Sequence, residues 1–561
     1  MKKVLAVALS AVMGLSLAAC GSSSSSTTAA TTTAAAGSGE TTVAETTTLS
    51  NEIGSEVEEE EINYDSELTV GIGADIGSFY PGGSGSAGVK IKRIMCYEPM
   101  FYKDAEGELH PIVAKEYEDM GNGTYQVTIF DYVTDSEGNK MTADDLVFSF
   151  DKYIEDGQNS STWATITDYK AIDDVTFEFT IDPERTGQLE DILSRIPLVT
   201  QAAWEASGDD LASCPVGTGG YVLDTANSIT GATYTFLRRD DYWQTDESYA
   251  CDLNQFYLKK LTVKVYTDTS TLAAALETGE IDFTSEISSN DWAMFLNDDG
   301  SALDGYVSLE GQNNAFVHLM FNCADTVQGV KNPCADQNFR EAICYAIDAA
   351  ACAYQVYGEM GQQCWAPTNP YLEDSGEEFN YDEYFGYDAD KAKELLAQTD
   401  YNGETIKILV LPRSSVSDSA VLIQNYCASI GINIELLTYD MSTFRAKRVE
   451  TDPEYNIELL GATSADDYVS VSIKELDNRS YGNGMGRLMI EDDHLQELYE
   501  AISDQATNSP EAIQEIFDYL TDNCYIYGLY YCPKMLIGKD IVKHGVIVPF
   551  NDAIYQSFVI E

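Results

Sequence analysis

The clearest patterning lies at residues 314–352. An apolar run, Ala315–Phe321, predicts a strand, and a loop holding Pro333 follows it. Apolar residues then recur at helical spacing: Phe339, Ile343, Ala346, Ile347 and Ala350. They fall on one face of a long helix, with Asp336 placed to cap its start and Gly358 to stop it. From 387 to 462 the pattern alternates. Helix Tyr387–Gln398 precedes strand TIKILVL, helix Ser417–Ile430, strand INIELLT, helix Met441–Val449 and strand YNIELLG. Such alternation predicts a parallel α/β layer. Two more helices, Asp492–Ser503 and Ser509–Asn523, and two apolar strands complete the chain. Upstream, 108–180 reads as short alternating strands around a helix, which Thr142 and Asp145 open as a capping box.

A chain of 561 residues exceeds one core and suits two or three lobes. Its charge changes the picture more than its length. With 93 Asp and Glu against 32 Lys and Arg, the net is −61. That field repels nucleic acid and anionic membrane surface, so a polyanion partner is excluded. Most of the charge reads as solvated surface; a cationic ligand is the sharper alternative.

Met1–Ala19 reads as a signal peptide: Lys2 and Lys3, a short apolar core, then Leu17-Ala18-Ala19 before Cys20. Small residues ahead of a Cys resemble a bacterial lipobox, with Cys20 as the acylated residue. No later apolar stretch is long enough to span a bilayer, so the membrane is met through a lipid anchor only. Residues 20–62, rich in Ser, Thr and Ala and then acidic, lack the apolar content to fold and read as a flexible tether. At ~5–6 Å × √n its mean reach is roughly 35 Å. Apart from Cys20, eleven cysteines remain. None forms CxxC, some have the chance to pair in an exported protein, and Cys344 and Cys427 sit on apolar helix faces that suit buried thiols.

Signs of catalysis are missing. The four histidines, 110, 318, 494 and 544, show no metal spacing, and His318 lies within an apolar strand. No GxSxG elbow occurs. Gly71, Gly73 and Gly77 are spaced one residue too widely for a dinucleotide turn, and Pro81–Gly88 lacks the Lys-Ser/Thr of a phosphate loop. Neither enzyme activity nor a cofactor is expected.

Several runs, in order, resemble the peptide/nickel-binding (family 5) extracytoplasmic solute-binding proteins of ABC importers. They are LHPIVAKEYE, then TADDLVFS at 142–149, PVGTGGY at 215–221 with Gly220 where the family has Pro, ALETGEID at 275–282, and FN…NP…FREAICYAID at 321–348. The resemblance covers roughly 67–550. It implies an α/β, two-lobed periplasmic-binding-protein-like fold (class II, cluster C type) with an extra subdomain in the first lobe. Lobe I would comprise 63–112, 214–311 and 525–561, the insert 113–213, and lobe II 312–524. The implied function is capture of a small solute, peptide first, by hinge closure and delivery to ABC permease subunits by a monomeric receptor on the outer face of the cell membrane. Oligosaccharide or metal chelate as ligand, a surface hydrolase, and a sensory or adhesive lipoprotein are the alternatives.

Two loops follow strand carboxyl ends, where α/β layers present their ligands: Leu411–Ser415 and Thr463–Tyr468. In peptide-binding relatives an Asp in the second loop grips the ligand amine. Asp467 or Asp466 matches by position, beside Tyr468, although the family's Trp and Asp-Pro are absent. An Arg in the first loop grips the ligand carboxylate in dipeptide-type relatives. Arg413 stands about two residues early for that place. Tyr242 and Trp243 sit in a loop where they would stack on a ligand.

Overall fold

The computed structural model describes residues 52–54, 62–82, 87–104, 107–156, 163, 165–183, 189–297, 299–311, 315–364, 366–368, 372, 385–461, 469–479, 484–504, 506–548 and 552–561. The leader and Cys20 lie outside them.

In chain order the first elements are β1 (Glu52–Gly54), β2 (Glu67–Ile72), α1 (Ala87–Cys96), β3 (Phe101–Lys103), β4 (Leu109–Pro111), β5 (Ala114–Gly121), β6 (Thr124–Ile129), α2 (Ala143–Asp156), β7 (Ile166–Ala171) and β8 (Thr176–Ile181). β9 (Tyr221–Leu223), β10 (Thr233–Arg238), β11 (Lys260–Val265), α3 (Thr269–Thr278), β12 (Phe283–Thr284) and β13 (Tyr306–Gly311) follow. Next come β14 (Phe316–Phe321), α4 (Gln337–Ala346), α5 (Ala349–Tyr357), α6 (Ala389–Leu396), β15 (Thr405–Val410), α7 (Ser414–Ser429), β16 (Asn433–Thr438), α8 (Met441–Arg448) and β17 (Ile457–Gly461). The last are α9 (Asp493–Ser503), α10 (Pro510–Asp522), β18 (Ile526–Tyr531), β19 (Lys534–Lys539) and β20 (Val542–Val548).

Three sheets carry most of these strands. A seven-stranded mixed sheet has the order β13-β19-β12-β2-β11-β10-β9, a five-stranded one β16-β15-β17-β14-β18, and an antiparallel one β5-β6-β8-β7. Each is built around its own buried apolar cluster. In the antiparallel sheet, alternate residues Tyr125, Val127 and Ile129 pack with Phe177, Phe179 and Ile181 under Phe150 of α2, the period-two signature of strands buried on one face. Asp145 accepts from both the backbone (2.7 Å) and hydroxyl (3.0 Å) of Thr142, so one half of the expected box forms at the start of α2, while Asp145 N donates to the Thr142 carbonyl at 3.0 Å instead of to its hydroxyl. The chain passes between the two larger sheets twice, from β13 to β14 and from β18 to β19.

The structure corrects three expectations. The helix after Pro333 is two helices. Asp336 caps α4 as expected, through Asn338 N. The backbone then turns extended at Ile347, and Asp348 caps α5 through Ala351 N at 2.9 Å. The five-stranded sheet is parallel only across β16, β15 and β17. The crossing strand β14 runs antiparallel to both β17 and β18. Finally, the stretch assigned to a tether contains β1, which pairs with β20 and buries Ile53 completely.

The PVGTGGY turn shows why its glycines are there. It lies against the carboxyl end of α1, with Gly219 N donating to Cys96 O at 3.1 Å. A Cβ on Gly217 would stand 2.2 Å from Cys96 O, and one on Gly219 would stand 2.7 Å from Met95 O.

Candidate ligand-binding site

Strand direction assembles one edge of the five-stranded sheet. β15 and β17 are parallel, so their carboxyl ends lie side by side, and Leu411 N extends the ladder to Leu459 O at 3.0 Å. Val317 pairs with Gly461, and Phe316 with Tyr531, which brings the start of β14 and the end of β18 to the same edge. The two chain crossings therefore border the segment that starts at Leu411 and the end of β17 at Gly461.

Arg413 sits at the N-cap of α7 with extended backbone. Its carbonyl accepts from Val416 N (3.0 Å) and Ser417 N (2.8 Å), while its side chain makes no cap. The guanidinium is half-buried. Desolvation pulls its pKa below the usual value, with Cys532, Arg445 and Tyr357 as its charged or polar surroundings. No carboxylate among the described residues pairs with it. Arg195, Arg239, Arg448, Arg479 and Arg487 all have one. In a chain so rich in acid, a guanidinium drawn out of water without an acid partner is unusual, because its charge is desolvated without compensation.

Asp466, Asp467 and Tyr468 lie outside the described residues. The described chain stops at Gly461 and resumes at Val469, which is fully buried. On the same edge, Phe316 packs with Cys364, Ala366 and Tyr531 and stacks on His318, with ring centres 4.7 Å apart. Burial takes the His318 pKa down to about 4, so the ring is neutral, and its Nδ1 has no hydrogen-bond partner among the described residues. Across the crossings, Ser289 Oγ donates to Val356 O at 2.6 Å and Trp292 stacks on Tyr357, tying the helical segment after β12 to the end of α5.

Tyr242 and Trp243 are placed elsewhere than their loop position suggests. Both turn inward on Glu98, a fully buried carboxyl just past α1. Tyr242 Oη donates to Glu98 at 2.7 Å. Trp243 Nε1 reaches Glu98 Oε2 at 3.3 Å and Thr218 O at 3.2 Å. Burial pushes the Glu98 pKa up to about 7 against the pull of those hydrogen bonds. Arg239 closes the node from the other side, donating to Thr218 O, Gly219 O and Asp135 O. With their polar atoms so engaged, the two rings pack against the apolar cluster of the antiparallel sheet. Glu98 itself had no sequence signal, because its partners are remote in the chain.

Among the described residues, only Asp104, Glu108 and His110, on the hairpin of β3 and β4, approach closely enough to share a cation. His110 Nε2 already pairs with Asp104 at 2.6 Å.

This is the architecture of a two-lobed solute-binding protein. The family model for bacterial extracellular solute-binding proteins, family 5, matches residues 108–478, and the chain belongs to that family. Its known relatives are binding proteins and not enzymes. The chain is 24% identical over 383 residues to the nickel-binding periplasmic protein of Escherichia coli, covering 63% of this chain and 68% of that one. It is 25% identical over 223 residues to the probable peptide-binding protein YejA of Agrobacterium fabrum, covering 38% of this chain but only 36% of that protein. Among solved structures, the oligopeptide-binding protein AppA of Bacillus subtilis with a nonapeptide superposes with TM-score 0.72 at 16% identity over 89% of this chain and all of that one. NikA of Brucella suis with Fe(III)-EDTA superposes with TM-score 0.73 at 18% identity, again over 89% and all. These likenesses establish the fold.

Proposed function

We propose that this chain is the lipid-anchored substrate receptor of an ABC importer, and that it captures a carboxylate-bearing solute, a peptide foremost, between its two larger sheets. The observation that carries the reading is Arg413: a half-buried guanidinium without an acid partner, at the carboxyl ends of parallel strands and beside both chain crossings. Closing the cleft would desolvate a ligand carboxylate against it, and a planar fork suits that partner. Asp467, or Asp466, would take the ligand's ammonium in the same way. A metal chelate rich in carboxylates would meet the same arginine, and the ligand-bound state of the Brucella suis relative favours keeping this second reading.

In this reading lobe I is built on the seven-stranded sheet, lobe II on the five-stranded one, and the antiparallel sheet is the inserted subdomain. The two crossings are the hinge. The closed form docks on permease subunits as a monomer, and acylated Cys20 holds it at the outer face of the membrane.

A thermal-shift screen of peptides, chelates and oligosaccharides tests the proposal, since binding raises stability by RT ln(1 + [L]/Kd). Peptides or chelates with free carboxylates are expected to stabilise, and their amides much less. Stabilisation by neutral sugars alone overturns it. Asp467→Ala is expected to cost about 3–5 kcal/mol of binding to a peptide by leaving its ammonium unpaired. Unchanged affinity by titration calorimetry removes Asp467 from the site.

A further inference from the structure

Beneath the ligand edge, the core of the five-stranded sheet holds a sulfur pair outside the binding chemistry. Cys344 Sγ on α4 lies 3.2 Å from Cys524 Sγ, 180 positions along the chain and just before β18. Both residues are completely buried. Three further contacts from α4 hold the segment around Cys524 in place. Gln337 Nε2 donates to Asp522 O at 2.7 Å. Arg340 Nη2 donates to Asn523 O at 2.6 Å, and its Nε donates to Cys524 O at 3.1 Å. Gln337, Arg340 and Cys344 are spaced i, i+3 and i+7, so one helical stripe addresses residues 522–524. Arg340 fixes the backbone of the very residue whose thiol Cys344 meets one turn later. Cys524 also holds a left-handed backbone at φ 52°, which turns the chain from α10 into β18.

We propose that Cys344 and Cys524 are a dithiol–disulfide pair that locks α4 onto the start of β18 when the chain matures in an oxidising medium. The separation is shorter than the van der Waals contact of two sulfurs, and the surrounding donors leave the backbone little freedom to separate them. The chemistry is thiol–disulfide exchange with a small-molecule disulfide RSSR. One Cys thiolate attacks RSSR, forming a mixed disulfide and releasing RS⁻. The second thiolate then attacks the protein sulfur of that mixed disulfide, forming the Cys344–Cys524 bond and releasing the other RS⁻. The protein loses two protons and two electrons, and RSSR becomes two RSH.

Burial pushes the Cys344 pKa well above the ordinary thiol value, so the folded dithiol is slow to react. Exchange therefore belongs to the stage before α4 seats on β18, or to local opening of that contact. Cys323, Cys334, Cys352 and Cys427 lie in the same core and are competing thiols.

The test is refolding of the full chain from denaturant in glutathione redox buffer, followed by intact mass and non-reducing peptide mapping. The expected product has lost two hydrogens and yields one linked peptide pair containing Cys344 and Cys524. Its melting midpoint should exceed that of the dithiothreitol-treated protein by on the order of 5–10 °C, because the bridge closes a long loop of the unfolded chain. Cys344→Ser and Cys524→Ser should each abolish that difference. Native folded protein in the same buffer should oxidise far more slowly. A refolded wild-type chain that keeps all its thiols, or one whose dominant link joins Cys323, Cys334 or another cysteine, overturns the assignment, and this readout needs no variant to fold. Refolding in vitro also separates the pairing from the question of export.

Discussion

The Tyr242 hydroxyl donates to Glu98 across 2.7 Å, joining residues 144 positions apart at a buried carboxyl. Burial raises the Glu98 pKa from 4.5 to about 7. In the core of the other large sheet, burial lowers the His318 pKa from 6.5 to about 4. A raised carboxyl pKa means the folded state holds the proton more tightly, so that stability is present below about pH 4.5 and lost as pH rises through about 7. A lowered imidazole pKa works in reverse: its contribution is present above 6.5 and lost as pH falls through about 4. The two ramps oppose each other between 4.5 and 6.5, each on the order of 3 kcal/mol. Glu98→Gln should therefore make the protein less stable toward acid across that window, and His318→Phe less stable toward neutral pH. Urea midpoints measured across the window check this. Parallel pH profiles for the wild type and both variants would refute it.

Tyr242→Phe removes a donor to a buried carboxyl. It should cost about 1–3 kcal/mol of stability, push the Glu98 pKa further up, and leave affinity for a stabilising peptide unchanged. A large loss of affinity with intact stability would return Tyr242 to the ligand surface.

How far the sequence could be read follows from the reach of each signal. The caps at Thr142 and Asp336 were legible because donor and acceptor lie within four residues of each other. The β15–β17 layer was legible because strand and helix periods alternate cleanly. The break between α4 and α5 was not. Ile347 and Ala349 are both buried, so the apolar stripe runs straight across it, and only Asp348 marks the new start. β1 was hidden because three residues beside an acidic run carry no period, and its partner β20 lies near the other end of the chain. The partner of Tyr242 and Trp243 was hidden for the same reason: the loop was visible but the distant Glu98 was not. At the site, Arg413 came from resemblance, while its unpaired state required coordinates.

Asp348 offers a local test of the broken helix. Its carboxylate satisfies Ala351 N, an otherwise orphaned donor at the start of α5. Asp348→Ala should cost about 0.5–2 kcal/mol by thermal unfolding, while Asp348→Asn should cost little. A continuous helix would instead be stabilised by Ala at that position, so the sign of the change decides.

Arg340 is a buried arginine satisfied mainly by carbonyls, those of Cys334, Ala335, Asn523 and Cys524. Arg340→Ala leaves several buried acceptors unmet and opens space between α4 and β18. The expected loss is about 3–5 kcal/mol or non-folding. Arg340→Lys, with three donors and no fork, should recover only part of it. A near-neutral Arg340→Ala would mean that water reaches this contact.

Arg413 is the converse case, and it separates function from stability. Its side chain makes no hydrogen bond or ion pair with the described residues, yet burial works against its charge. Replacing it with Met should therefore leave the melting midpoint of the ligand-free protein unchanged or higher, because a desolvated charge is removed. Binding should move the other way. If a ligand carboxylate completes this site, Arg413→Met strands that carboxylate in the closed cleft at about 3–5 kcal/mol, a loss of roughly 10²–10³ in affinity. Arg413→Lys keeps the charge but not the bidentate fork, and should fall between. Amidating the ligand's carboxyl should weaken binding to the wild type and make little further difference to Arg413→Met, which is the coupling that a double-mutant cycle reads. If the ligand-free protein melts several degrees lower without Arg413 while affinity holds, the arginine is part of the scaffold and the anion site lies elsewhere.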